Sequence, residues 1–133
     1  MVMQLIDNHW YKVTESFNPE TGDKHTVKSM RGIVDVPVSV LVNTWEDLVI
    51  ELSDKEKELY NLKEEIFNKE QEIIRTTDFQ KLYKKNNKDV RKEHMDKILA
   101  DDYAAKKDME FRIDFIKQYL PLLKEVIRTK KME

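Results

Sequence analysis

The chain has 133 residues, no cysteine and a formal charge of −2 at pH 7, with 38% charged and 40% hydrophobic side chains. That balance supports one folded domain with a real core, and it excludes intrinsic disorder, disulfide staples and thiolate metal sites. The longest uncharged run of the most apolar region, VPVSVLVNTW (36–45), is about half a membrane span, and MVMQLIDNHWYK has neither the basic start nor the apolar run of a signal peptide, so no membrane role is expected and the protein is read as cytoplasmic.

Composition changes near residue 43. Both glycines (Gly22 and Gly32) and two of the three prolines (Pro19 and Pro37) precede it, whereas long charged stretches with helical periodicity follow. The first region reads as a β-hairpin. HWYKVTESF (9–17) is rich in aromatic and β-branched residues, NPETGD (18–23) has the composition of a turn, and KHTVKSM (24–30) can return alongside. GIVDVPVSVLV (32–42) is read as continuing extended, because Pro37 disfavours helix at the residues just before it. The hairpin and extended segment thus occupy 1–42.

A first helix is expected over 43–77, starting at Asn43 or Thr44. TWED (44–47) resembles a capping box with Asp in place of Glu. Spacings of three and four then alternate through Trp45, Leu48, Leu52, Lys55, Leu59, Leu62, Ile66, Lys69 and Ile73, a coiled-coil seam with two lysines on it. Residues 78–87 are read as a short helix, which Thr77 can cap, and an Asn-rich connection. A second helix follows over 88–129, with its seam at Met95, Ile98, Asp102, Ala105, Met109, Ile113, Ile116, Leu120, Leu123 and Ile127. The two successive steps of four around Met109 predict a stutter, and Pro121 predicts a kink or interruption.

A short connection makes an antiparallel hairpin the simplest arrangement of these helices. Asp102 on one seam can then pair with Lys55 or Lys69 on the other, Lys69 being closer in level. Phe111, Phe115, Tyr119, Leu122 and Val126 widen the apolar surface of helix two beyond a seam, which calls for burial on more than one side. The N-terminal region, with Trp10, Phe17, Val36, Val38 and Leu41, is the natural cover. The fold class expected is therefore α+β, mainly α, with a β-hairpin packed on the base of a long antiparallel helical hairpin.

Catalytic chemistry finds little support. Two glycines ten residues apart build neither a P-loop nor a dinucleotide fingerprint. His9 and His25 can face each other across the hairpin on paper, but no third ligand sits at metal spacing, and His94 reads as an ordinary helix residue. Carboxylate pairs such as Glu64-Glu65 and Asp101-Asp102 lie on charged helical faces, without the concave apolar site that tunes an acid–base pair. Ser39 has no nucleophile-elbow context. No enzyme, cofactor or metal is expected.

Charge is strongly polarised. Residues 46–72 carry ten acids against four bases, whereas Lys81, Lys84, Lys85, Lys88, Arg91 and Lys92 face one carboxylate, Asp89, within 81–92. With Tyr83 among them, these cations could hold phosphates and stack a base. Lysine outnumbers arginine there, however, and Arg is the better reader of bases and phosphates. A solvated helix connection or a protein contact accounts for the same residues.

IVDVPVSVLVNTWEDLV (33–49), EIIRTTDFQKLYKKNNKDVRKEH (72–94) and DMEFRIDFIKQYLPLLKEVI (108–127) together resemble small coiled-coil proteins from the early, replication and recombination regions of bacteriophages of Gram-positive bacteria. The likeness covers about half of the chain and carries no catalytic motif. It implies action inside a bacterial host cell. The sequence-based expectation is a non-enzymatic interaction protein that binds itself or a host or phage protein, as an accessory to replication or recombination or as an inhibitor of a host defence protein, and a homo-oligomer. The alternative is a nucleic-acid-binding protein using 81–92.

Overall fold

The computed structural model describes residues 2–76 and 88–132. Three antiparallel strands, β1 (Val2–Ile6), β2 (His9–Phe17) and β3 (Lys24–Arg31), form a sheet in that order. A 3-10 turn (Ile33–Asp35) leads to the helices α1 (Val38–Ile74), α2 (Lys88–Ile98) and α3 (Ala100–Met132). The architecture is α+β, mainly α, as the sequence predicts. It divides into two compact units, Met1–Leu48 with Tyr119–Glu133, and Val49–Gln118, so that α1 and α3 each contribute to both.

In the first unit the sheet has one strand more than the sequence reading. VMQLI alternates as a strand should, and Asp7-Asn8 makes a two-residue turn in which Asp7 takes a left-handed φ of 55°. The second turn is held by local bonds. The Asn18 side chain accepts from the Glu20 N–H at 3.0 Å, and Gly22, at φ 74°, supplies the left-handed position. Trp10 is 2% exposed, and its indole N–H donates to the Tyr119 hydroxyl at 2.8 Å. Val36, Leu41 and Leu123 are fully buried in the same unit. The Lys130 ammonium donates to the Val36 carbonyl at 2.5 Å. Phe17 was expected among the covering residues but is 60% exposed at the far end of β2, where β1 no longer pairs.

Helix α1 starts earlier than 43. Val36 is extended, as a residue before proline should be, but the Pro37 carbonyl already accepts from the Val40 and Leu41 N–H groups at 3.0 and 3.1 Å. A proline is well tolerated at a helix start, where no N–H is needed. Asn43 and Thr44 therefore lie inside the helix and cap nothing. The β-branched run VSVLV is helical because Val38 and Leu41 stand three and four residues apart from the Trp45 and Leu48 seam, and burying that face outweighs local propensity.

In the second unit α1 and α3 run antiparallel. Every α1 seam position that the sequence predicts, Leu52 to Ile73, is buried or half-buried. The second seam needs correction. Leu99 is 4% exposed and Ile98 54%, and Lys106 is half-buried where Ala105 is exposed. With Leu99 and Lys106 in those places, the steps from Met95 to Ile116 alternate four and three without a stutter. Lysine at such a position lays its methylenes along the seam and keeps its ammonium in water. The expected single helix over 88–129 is bent at Leu99. Its N–H still bonds the Met95 carbonyl at 3.0 Å, and its carbonyl accepts from Tyr103 at 2.9 Å, so the backbone ladder bridges the bend. Pro121 in the first unit neither ends nor interrupts α3, because it sits on an exposed position where the carbonyl it leaves unbonded can meet water.

Candidate interaction surfaces

Among the described residues, three bridges cross between α1 and α3 in the second unit. Lys69 reaches Asp102 at 3.1 Å, the pairing the sequence favours. Arg112 donates to both oxygens of Glu51, at 2.5 and 2.9 Å, and lies 5.3 Å over the Phe115 ring. Lys117 meets Glu56 at 3.4 Å. Glu51–Arg112 and Glu56–Lys117 sit on opposite flanks of the seam, where an antiparallel coiled coil pairs like heptad positions. The register they define brings Leu59 level with Met109 and Leu52 level with Ile116. The Arg112 guanidinium holds the Glu51 carboxyl below the usual carboxylate range, chiefly through its hydrogen bonds and against a smaller desolvation cost.

The other side of α1 is less conventional for a solvated helix. Ile50 is 60% exposed, Tyr60 64% and Phe67 60%. Together with Ser53, Lys57 and Glu64 they again follow steps of three and four, so α1 carries a second heptad stripe that the sequence reading missed. Two shallow hollows of about 430 Å³ each flank Tyr60, one reaching Lys57 and Ser53 and the other Glu64 and Phe67. The Tyr60 hydroxyl donates to the Glu64 carboxylate one turn away, which raises its pKa above the ordinary phenol range. Scanning for a second heptad beside the strongest one would have revealed this stripe.

Of the basic cluster, Lys81, Tyr83, Lys84 and Lys85 lie outside the described residues, as does the expected short helix over 78–87. Lys88 opens α2. Arg91 and Lys92 occupy the first turns of that helix and diverge, Arg91 being half-buried and Lys92 exposed. His9 and His25 do not face each other. His9 pairs with Ile6 and His25 with Ser16, at opposite ends of β2. Among the described residues no group of three metal-ligating side chains forms, and no helix is long and apolar enough to cross a membrane.

An open cleft of about 580 Å³ in the first unit is lined by Trp10 and Tyr119 together with His9, Met30, Arg31 and Leu122. Burial raises the Tyr119 pKa, and the bond from Trp10 opposes it less strongly. These tyrosine and tryptophan polar atoms face each other, so they make a structural contact rather than a set of groups converging on a ligand. No family model matches the chain, and neither a curated protein nor a solved structure matches it.

Proposed function

We propose that this is a non-enzymatic protein-interaction module whose helical hairpin presents the outward stripe of α1 to a protein partner. The observation that carries this reading is the heptad-spaced exposure of Ile50, Tyr60 and Phe67 on one face. Large apolar side chains scattered singly on a surface need no explanation, but aromatics repeating every seven residues on a helix make a contact line. Aromatic residues of this kind are also the usual anchors of protein interfaces. In the phage setting that the sequence resemblance implies, the partner would belong to a replication or recombination assembly, or would be a host protein that the module occupies.

The test is a pull-down from nuclease-treated bacterial lysate with the full chain and with a Y60E/F67E variant. Both substituted residues are exposed, so the variant should keep its helical circular dichroism. Specific partners that survive nuclease and are lost with the variant are expected. Retention of every partner by Y60E/F67E, or loss of every partner on nuclease treatment, overturns the reading. A companion variant, R91E/K92E, should leave the partner set unchanged. If it alone abolished binding, the basic cluster would be the contact instead.

A further inference from the structure

We propose that two copies of this chain associate through the outward stripe of α1, packed antiparallel about a two-fold axis level with Leu62. The inference rests on the reading above and names the partner of that same surface. Three observations carry it: the composition of the stripe, its symmetry, and a bridge already present in the fold.

The exposed stripe runs from Ile50 through Ser53, Lys57, Tyr60 and Glu64 to Phe67, and the same steps of three and four continue through the half-buried Gln71 and Ile74. Apolar residues hold its ends and aromatics stand near its middle, with one cation and one anion between them. Laid antiparallel on itself with its full length overlapped, the stripe sets Ile50 level with Ile74 of the second copy. Lys57 then lies level with Phe67 of the second copy, and Tyr60 with its Glu64. An isologous two-fold contact makes each of these meetings twice.

The charges decide the direction. In a parallel, in-register pair Lys57 would face Lys57 and Glu64 would face Glu64, placing like charges on the seam. The antiparallel pair sets each Lys57 one layer from Glu64 of the other copy. The fold already contains that arrangement, because Lys69 and Asp102 occupy like positions on the two helices of the intramolecular seam and bridge across one layer at 3.1 Å. A cation beside an aromatic ring adds to this, because Lys57 lies level with Phe67 of the second copy. About 36 Å of helix would be covered at 1.5 Å per residue. That is a narrow strip beside the ~800 Å² per partner of a standard interface, so the affinity expected is micromolar rather than nanomolar.

Sedimentation equilibrium of the purified full chain, over micromolar concentrations, tests the proposal. A reversible monomer–dimer equilibrium is expected, weakened at least about tenfold in Y60E/F67E. K57E and E64K should each weaken it several-fold. An equimolar mixture of K57E with E64K should recover the affinity, because the heterodimer restores both opposite-charge meetings, one with Lys57 facing Glu64 as in the natural chain and the other with its polarity reversed. Recovery on mixing would not follow from either variant being misfolded, and the losses in the single variants distinguish antiparallel from parallel pairing, in which K57E or E64K would only exchange one like-charge meeting for another. A chain that stays monomeric at every concentration, or an undiminished dimer in Y60E/F67E, overturns the proposal. If the chain is monomeric but Y60E/F67E still loses a lysate partner, the second-copy inference falls while the interaction reading stands.

Discussion

The two units solve the problem of hiding apolar surface in different ways. The first closes around its core from several directions, and Val36, Leu41 and Leu123 lose all contact with water. The second relies on helices meeting along a seam, and of its α1 seam positions only Ile66 reaches full burial, Leu52, Leu59 and Leu62 remaining partly wet. A two-helix seam has open flanks, whereas a sheet laid against helix ends does not. This explains where the polar residues go. Lys55, Lys69, Asp102 and Lys106 all sit on the open seam, where a long side chain can reach water, and the closed core contains no buried charged residue among those described.

The sharpest way to break this comparison is to delete the same side chain in each unit. Leu41→Ala should cost about 3–5 kcal/mol, because a fully enclosed site cannot collapse around the lost volume. Leu59→Ala, on the half-wet seam, should cost about 1–2 kcal/mol, since water already reaches the side chain and less transfer free energy is lost. Urea unfolding of both variants, followed by circular dichroism, gives the two values. Equal losses would mean that the seam is as closed as the core.

Legibility followed the same division. The α1 seam could be read residue by residue, because apolar spacing over four heptads is a repeated signal and its polar exceptions fall in phase. The Lys69–Asp102 bridge was legible for that reason, being fixed once the helices are antiparallel. The second seam was misread at two positions. Ile98 and Ala105 are apolar and Lys106 is not, so hydrophobicity pointed one residue away from the true phase. The start of α1 was hidden by β-branched residues and a proline, whose local preference for extended backbone is overridden by burial of Val38 and Leu41. Strand β1 is only five residues long, too short for a strong alternating signal of its own. Yet Asp7-Asn8 between two alternating runs is a recognisable hairpin turn. The outward stripe of α1 was legible in principle, because its spacing is as regular as that of the seam. What hid it was the charge of the intervening residues, which reads as ordinary solvated surface.

A smaller effect sharpens the role of the polar seam residues. Lys69 and Asp102 are 43% and 27% exposed, so their bridge is screened and should contribute no more than about 1 kcal/mol. Lys69→Met alone should destabilise by about that amount, because Asp102 keeps its desolvation without its partner. Lys69→Met with Asp102→Leu should recover the loss or exceed it, as apolar replacements of a pair often do. A double-mutant cycle in thermal unfolding measures the coupling. No recovery in the double variant would show that the pair holds the helix register as well as bridging the seam.

The smallest expected effect is the pH dependence that the Glu51–Arg112 bridge gives to the second unit. The Glu51 carboxyl titrates below its unfolded value because it accepts two hydrogen bonds from Arg112. A depressed folded pKa means that the unfolded chain binds the proton more readily, so the bridge stabilises at pH values above the unfolded pKa. That stabilisation drains away as the pH falls through the carboxylate range towards the lower folded pKa. With both side chains about one-third exposed, solvent screening limits the gain to roughly 0.5–1 kcal/mol. Glu51→Gln keeps an acceptor but cannot titrate, so its unfolding free energy should fall less on acidification than that of the natural chain, with the two curves converging at low pH. The natural chain and Glu51→Gln should then differ most near neutrality. Parallel curves across the carboxylate range would mean that the Arg112 contact is made as well by a neutral amide, and that the bridge acts through geometry rather than charge.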